Sequence, residues 1–158
     1  KRISENGYVL TGNEPLKITL CTKEYGYKGT DFAGILRKNG IEIEFSDPDF
    51  VVMMITPENG EKDLEYLEKV LLSVPKKARI DEKMPGVFLC EQALSVREAL
   101  FMPSEKISVN KATGRILASP SVSCPPAIPV AICGERLTEN AVKCFKYYGI
   151  YEIDVITE

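Results

Sequence analysis

The side chains that could do chemistry in this chain are carboxylates, lysines and five cysteines, because none of the 158 residues is histidine. Without an imidazole there is no Ser–His or Cys–His nucleophile pair, no His-ligated zinc and no histidine acid–base catalysis. The glycines form neither GxGxxG nor GxxxxGK[ST], the two common phosphate-binding loops. The sequence therefore excludes most of the familiar catalytic arrangements.

The number of cysteines is odd, and no two of them are spaced as CxxC. This favours free thiols of a cytoplasmic protein over disulfides or a metal site. Cys124 precedes Pro125 and Pro126, so its backbone is predicted to be extended and its thiol to be packed or simply exposed. Cys133 lies among apolar residues and is expected in the core. The other three are Cys21, Cys90 and Cys144.

Most carboxylates belong to predicted turns or to the solvent-facing sides of strands, as Asp47 and Glu42 do. Glu135 differs, because it stands at the exit of an apolar, proline-rich segment. Two interpretations of Glu135 stay open: a structural ion pair with Arg115 or Arg136, or a position at the rim of a ligand site.

That segment is 114–137, GRILASPSVSCPPAIPVAICGERL, and its composition is unusual for a linker. It contains four prolines, at 120, 125, 126 and 129, while its other residues are largely apolar. Each proline fixes its own φ and restricts the residue before it. We therefore predict an extended, buried connection.

Hydrophobic periodicity predicts the order β-α-β-β-α in the first half of the chain. Thr30 is predicted to cap the first helix and Gly40 to end it. The apolar run 50–55 is predicted to be a central strand covered on both faces. The predicted strands are 16–21, 41–45 and 50–55, with an edge strand at 8–10, and the predicted helices are 31–39 and about 61–74.

In the second half, Ser95 and Glu98 form an S-x-x-E capping box, which opens a short helix that Pro103 ends. Thr138 is predicted to cap a helix that runs to Tyr148. A further helical turn is predicted at 108–113, and strands are predicted at 130–133 and 151–155.

Between the halves lies PKKARIDEKMPG, which is polar and charged. We predict an α+β protein with domains 1–75 and 88–158 and a linker at 76–87. A net charge of −3 argues against a broad nucleic-acid-binding face, and there is neither a membrane-length apolar run nor a signal peptide. Because the first residue is Lys1 rather than Met, we expect a fragment of a longer protein.

Residues 111–137 resemble the C-terminal domain of the bacterial ornithine/lysine/arginine decarboxylases, a family of fold-type-I pyridoxal-phosphate enzymes. That family shows an A-x-G-R-I-x-A element, then Tyr-Pro-Pro-Gly-Ile-Pro, then Pro-Gly-Glu. Residues 14–19 and 40–45 resemble the family's small domain, so the likeness covers nearly the whole chain. The matching signature residues are Ala112, Gly114, Arg115, Ile116, Ala118, Pro125, Pro126, Ile128, Pro129, Gly134 and Glu135.

The resemblance implies that 1–75 is the small α/β sandwich domain of the aminotransferase-like fold and that 88–158 is the decarboxylase-like C-terminal domain. It implies a cytoplasmic, homodimeric parent enzyme that decarboxylates ornithine, lysine or arginine with pyridoxal 5'-phosphate. The parent's large domain would carry the cofactor and the catalytic residues. This chain would hold none of them, since neither Lys17 nor Lys111 stands beside a phosphate cradle. It would hold no metal either.

The resemblance also implies a rim of the active-site entrance in this chain. Where the family has Tyr, Gly and Pro, this sequence has Cys124, Ala127 and Cys133. These departures keep a second hypothesis open, a non-catalytic binding or oligomerisation module derived from the same fold. The candidate rim residues are Cys124, Pro125, Pro126, Ala127 and Glu135.

Overall fold

The structure is a computed structural model that describes residues 2–124 and 128–157, with the backbone alone for 121–124 and 128. The chain divides into two compact units, residues 1–82 and 83–158. Both units combine antiparallel strands with helices, so the predicted α+β class is confirmed.

The first unit is a four-stranded antiparallel sheet with helices packed on one face. Its elements are α1 (Arg2–Glu5), β1 (Leu10–Thr11), β2 (Lys17–Cys21), a 3₁₀ helix (Thr22–Tyr25), α2 (Gly29–Lys38), β3 (Phe45–Ser46), β4 (Phe50–Met54) and α3 (Glu61–Ser73). The strands lie in the order β1-β2-β4-β3, and from β2 onward the elements follow the predicted β-α-β-β-α order.

The core of this unit forms because apolar residues recur at helical spacing on α2 and α3 and at alternate positions on β4. Phe32 and Leu36 of α2 and Leu71 of α3 are buried against Val51. On the other face of β4, Met54 is exposed. The prediction that both faces of the apolar run are covered is therefore wrong for the described residues.

Two further local predictions in this unit are wrong. Helix α2 begins at Gly29 with Lys28 at the N-cap, so Thr30 lies inside the helix rather than capping it. Glycine is required there because a Cβ on Gly29 would overlap the carbonyl oxygens of Asp47 and Phe50. The strand predicted at 41–45 shortens to Phe45–Ser46, although Gly40 ends α2 with a φ of 69° as expected.

The second unit is built from short strands, two α-helices and a 3₁₀ helix. Its elements are β5 (Glu91–Gln92), α4 (Val96–Phe101), β6 (Ser104–Ser108), a 3₁₀ helix (Val109–Lys111), β7 (Ser121–Cys124), β8 (Ile128–Ile132), β9 (Glu135–Arg136), α5 (Glu139–Tyr147) and β10 (Glu152–Ile156). The strands pair antiparallel, β6 with β10, β5 with β9 and β7 with β8.

Residues 115–118 join two of these strand pairs into one irregular layer. Ile116 bridges Arg136 of β9, and Leu117 bridges Val155 of β10. The neighbours across the layer are therefore β6, β10, 115–118, β9 and β5. Helix α5 packs its apolar side on the same core, where Phe145 and Leu117 are fully buried.

The proline-rich segment does not run as a single extended connection. Its backbone is extended, as predicted, but β7 and β8 pair with each other and so the segment folds back on itself. The register shifts between Val122 and Ser123, opposite Pro129, which has no N–H to donate to a ladder. Val130 and Ala131 are buried and Pro129 is exposed, so burial is confirmed only in part.

Candidate active-site rim

The predicted rim residues belong to the pair β7–β8 and to the strand that follows it. Cys124 is the last residue of β7 and pairs with Ile128, the first residue of β8. Pro125, Pro126 and Ala127 lie outside the described residues, and only the backbone of Cys124 is described. Of the predicted rim, the structure therefore describes the side chain of Glu135.

The Glu135 carboxylate stabilises a tight turn. Its Oε2 accepts a hydrogen bond from the backbone N–H of Ile132 at 2.9 Å, across the two residues that connect β8 to β9. Arg115, one of its two predicted partners, forms an ion pair with Glu105 at 2.7 Å. Arg136, the other, donates to the carbonyl of Gly114 at 2.8 Å.

Gly134 occupies the same turn, and its place depends on having no side chain. Its φ is 88°, and an added Cβ would overlap the carbonyl oxygen of Leu94 and lie 2.7 Å from Nε2 of Gln92. The Gly134 carbonyl in turn accepts the N–H groups of Ala93 and Leu94, both at 3.0 Å. The Gly-Glu pair of the signature thus holds the β8–β9 turn against the strand β5.

The A-x-G-R-I-x-A element also has structural roles. Ala112 is completely buried, and Gly114 adopts a φ of 83° after the 3₁₀ helix. Arg115 fixes the start of the joining segment by donating to Glu105 and, at 2.8 Å, to the carbonyl of Ile156. Burial at Ala112, the positive φ at Gly114 and the two acceptors of Arg115 account for these three residue types.

Cys133 lies in the core, as predicted, and is completely buried. Its Sγ lies 3.3 Å from the carbonyl of Ala118, and burial raises the pKa of this thiol. Its backbone N–H donates to the carbonyl of Pro120 at 3.2 Å. Proline, the usual family residue here, has no N–H to make that bond, so this departure adds a hydrogen bond.

The charged group that sequence reasoning missed is buried in the first unit. Lys23 forms an ion pair with Asp49 at 3.0 Å and donates to the carbonyl of Glu82 at 2.8 Å. Asp47 is also buried, and its Oδ1 accepts the N–H groups of Asp49 and Phe50. The only sequence signal was the Asp-Pro-Asp turn, which indicated solvent exposure rather than burial.

The buried Lys23 of the first unit does not fit the role of a lysine that binds pyridoxal phosphate. A Schiff-base lysine needs a free, desolvated amine beside a phosphate cradle, whereas the buried Lys23 is already held by a carboxylate and a carbonyl. Within 2–124 and 128–157 there is no cluster of three metal-ligating side chains. In the same ranges, no helix is long and apolar enough to cross a membrane.

Two arginine decarboxylases are among the curated proteins that the chain resembles. That of Bacillus subtilis is 29% identical over 136 residues, which are 82% of this chain and 28% of that protein. That of Halalkalibacterium halodurans is 30% identical over 134 residues, 80% of this chain and 27% of that protein. The chain therefore spans little more than a quarter of the length of these relatives.

The fold is similar to that of solved lysine decarboxylases. The constitutive lysine decarboxylase of E. coli superposes with a TM-score of 0.63 at 16% identity, over 91% of this chain and 32% of that chain. The lysine decarboxylase of Francisella novicida gives 0.65 at 15% identity, over 91% and 31%. At these identities the likeness shows the fold alone.

Residues 76–153 match the family described as Orn/Lys/Arg decarboxylase, C-terminal domain. This range contains the Gly114, Arg115 and Gly134–Glu135 positions whose geometry is given above. Residues 76–153 thus belong to the C-terminal domain of the Orn/Lys/Arg decarboxylase family.

Proposed function

We propose that this chain is the C-terminal part of a pyridoxal-phosphate-dependent decarboxylase of a basic amino acid. The match of residues 76–153 to the family's C-terminal domain carries the proposal, and the names of the curated relatives make arginine the first substrate to test. The first unit would be the small domain of the aminotransferase-like fold. The large domain, outside this chain, would hold the cofactor, and the whole protein would be a homodimer.

In such an enzyme the bound cofactor supplies an electron sink for cleavage at the substrate's α-carbon. This chain would shape the entrance through residues 124–127 and Glu135. Glu135 is only partly buried, and one carboxylate oxygen holds the β8–β9 turn. Its negative charge would favour a guanidinium or ammonium group approaching the rim.

The experiment is a lyase assay on the whole protein encoded by the parent reading frame. With pyridoxal phosphate added, we expect CO₂ release from at least one of arginine, lysine and ornithine, and none from leucine. The 158-residue chain alone serves as the control and should release none. Failure of the folded whole protein to release CO₂ from all three amino acids would refute the proposal.

The rim role of Glu135 has its own test in the whole protein. Glu135→Gln keeps an oxygen that accepts the Ile132 N–H but removes the charge. We expect KM for the basic substrate to rise about fivefold to tenfold with kcat unchanged. Glu139→Gln, on the exposed first turn of α5, should leave KM unchanged. An equal KM in wild type and Glu135→Gln would assign Glu135 to turn stability alone.

The alternative function, a non-catalytic oligomerisation module, is favoured by one observation. Phe88 and Leu89 are 67% and 98% exposed although both are large and apolar. A whole protein that assembles but releases no CO₂ would select this alternative.

A further inference from the structure

The chain contains three Asn-Gly pairs, a dipeptide that can react with itself. They are Asn6-Gly7, Asn39-Gly40 and Asn59-Gly60. In such a pair the backbone nitrogen of the glycine attacks Cγ of the asparagine, because glycine has no side chain to obstruct the approach. Ammonia leaves, a succinimide ring closes, and water later opens the ring to aspartate or isoaspartate. The three asparagines are all exposed, so their hydrogen bonds must decide which pair reacts.

Asn39-Gly40 is held in an unreactive arrangement at the end of α2. Asn39 is the C-cap with a ψ of 18°, which turns the Gly40 nitrogen away from the Asn39 side chain. The side-chain amide nitrogen of Asn39 donates to the Ile35 carbonyl at 2.9 Å. The Gly40 N–H donates to the Arg37 carbonyl at 2.9 Å. Attack at this pair therefore requires the end of the helix to unfold.

Asn6-Gly7 is fixed by a partner far away in sequence. The side-chain amide nitrogen of Asn6 donates to the hydroxyl of Tyr25 at 3.0 Å, and Tyr25 is almost completely buried. The Gly7 N–H donates to the carbonyl of Ser4 at 3.0 Å, and a peptide carbonyl is too weak a base to take its proton. In the described part of the chain, the side-chain oxygens of Asn6 and Asn39 accept no hydrogen bond.

The third pair places each reacting atom beside a group that assists the attack. The Gly60 N–H donates to Oδ2 of Asp63 at 3.0 Å, so a carboxylate lies where the nucleophile must lose its proton. Oδ1 of Asn59, on which negative charge develops during the attack, accepts the Thr56 N–H at 2.9 Å. Among the described residues, the side-chain amide nitrogen of Asn59, which leaves as ammonia, has no hydrogen-bond partner.

The bonds around Asn59 also leave this pair able to move. Thr56, Asn59, Gly60 and Asp63 are all exposed. The bonds from Thr56 to Asn59 and from Gly60 to Asp63 each join residues three apart. Local opening of such exposed bonds costs far less free energy than opening the core. The pair can therefore reach the geometry of the ring while the rest of the unit stays folded.

We propose that Asn59-Gly60 is a self-catalysed succinimide site. Asp63 takes the proton from the Gly60 nitrogen, this nitrogen bonds to Cγ of Asn59, and the Thr56 N–H stabilises the oxyanion that forms. The Cγ–Nδ2 bond then breaks, and Asp63 returns the proton to the departing nitrogen, which leaves as ammonia. Water opens the ring, so the net reaction consumes water and releases ammonia. The new carboxylate lies just before the N-cap of α3, where the helix dipole favours negative charge.

The first test follows the three pairs in the whole protein by peptide mass spectrometry at neutral pH. Each conversion raises the mass of its peptide by about 1 Da. We expect Asn59 to react at least about tenfold faster in the folded protein than in urea, because unfolding removes both assisting groups. Asn6 and Asn39 are internal controls and should react more slowly folded than unfolded. A rate at Asn59 that is no higher in the folded protein overturns the proposal.

The second test removes the base. Asp63→Asn keeps an oxygen that accepts the Gly60 N–H but cannot take its proton, and we expect the rate at Asn59 to fall about tenfold or more. Glu61→Gln removes a charge from the same turn of α3 and should leave the rate unchanged. Circular dichroism checks that each variant remains folded. A rate that Asp63→Asn leaves unchanged or raises would assign Asp63 to helix capping alone, and the proposal would be wrong whatever the lyase assay shows.

Discussion

At the residue scale, three signature positions of the second unit make contacts that fix the backbone around them. Gly134 sits at positive φ against the carbonyl of Leu94, and Glu135 satisfies the Ile132 N–H across the same turn. Arg115 reaches both Glu105 and the Ile156 carbonyl. These residues hold the β8–β9 turn and residues 115–118 in place. The turn positions the end of β8, and residues 115–118 lead toward the start of β7.

The first prediction concerns Gly134→Ala. Its Cβ would overlap the Leu94 carbonyl oxygen at a φ of 88°, so we expect the free energy of unfolding to fall by about 3 kcal/mol. Gly149→Ala is the matched control, because φ there is 75° and no heavy atom lies within 4 Å of the added Cβ. It should cost about 1–2 kcal/mol. Urea denaturation measures both, and equal losses would contradict the overlap.

The second prediction concerns the pH dependence due to Asp47. Burial, opposed by hydrogen bonds from Phe50 and Asp49, raises the pKa of this carboxyl above its usual 3.8. As pH rises, the unfolded state therefore releases this proton at a lower pH than the folded state does. The contribution of Asp47 to stability falls as pH rises from 3.8 through the raised pKa. Asp47→Asn keeps the Oδ1 acceptor and removes the charge.

We expect Asp47→Asn to gain stability relative to wild type as pH rises across this window, and to differ little at pH 3. Urea midpoints measured from pH 3 to pH 7 test this. Asp31→Asn, an exposed position in α2, is the control. A stability difference that is flat with pH, or that reverses in sign, would show that Asp47 does not titrate as described.

At the element scale, the helix ends of the second unit follow from local chemistry. Ser95 and Glu98 form the predicted capping box of α4, and Thr138 caps α5 by accepting the Ala141 N–H at 3.1 Å. These bonds join residues three apart, so the sequence is sufficient to predict them. Strand β6 was missed because Ser-Glu-Lys-Ile-Ser carries no apolar alternation, and it forms through its pairing with β10.

The third prediction concerns the cap of α5. Thr138→Ala removes the acceptor of the Ala141 N–H, and we expect a loss of about 1 kcal/mol in unfolding free energy. Thr138→Ser retains the hydroxyl and should recover most of that loss. Thermal or urea unfolding distinguishes them. A serine variant as unstable as the alanine variant would point to the lost methyl group instead of the lost cap.

At the scale of the whole molecule, residues 76–82 belong structurally to the first unit. The N–H groups of Lys77 and Ile80 donate to the carbonyls of Tyr25 and Lys23, both at 3.1 Å. Lys23 donates to the Glu82 carbonyl, and a Cβ on Gly26 would lie 2.7 Å from the carbonyl carbon of Lys77. This polar stretch is therefore a strap along the 3₁₀ helix.

The fourth prediction compares two fragments of the first unit. Residues 1–82 retain the strap, whereas residues 1–75 lose three hydrogen bonds with it. Two of these bonds are accepted by the Tyr25 and Lys23 carbonyls, and the third is donated by the Lys23 ammonium. At roughly 1 kcal/mol each, we expect 1–82 to be about 3 kcal/mol more stable. Urea unfolding of both fragments is the measurement, with Arg79→Ala in 1–82 as the surface control. Equal unfolding free energies of the two fragments would show that residues 76–82 behave as a free linker.

The sequence by itself determined what depends on near neighbours along the chain. The β-α-β-β-α order of the first unit follows from periodicity. The N-terminal caps of α4 and α5, and Gly40 at the end of α2, follow from bonds within a few residues. The signature residues could also be read from the sequence, because a proline fixes its own φ and a glycine permits a positive φ wherever it occurs.

Only the tertiary structure decided what depends on partners far away in sequence. Gly29 starts α2 because the turn at 47–50 leaves no room for a side chain, and Lys23 is buried because Asp49 and Glu82 reach it. The proline segment folds into β7 and β8 because its two halves pair with each other. Such contacts close long loops and satisfy buried groups from a distance, so no local pattern encodes them.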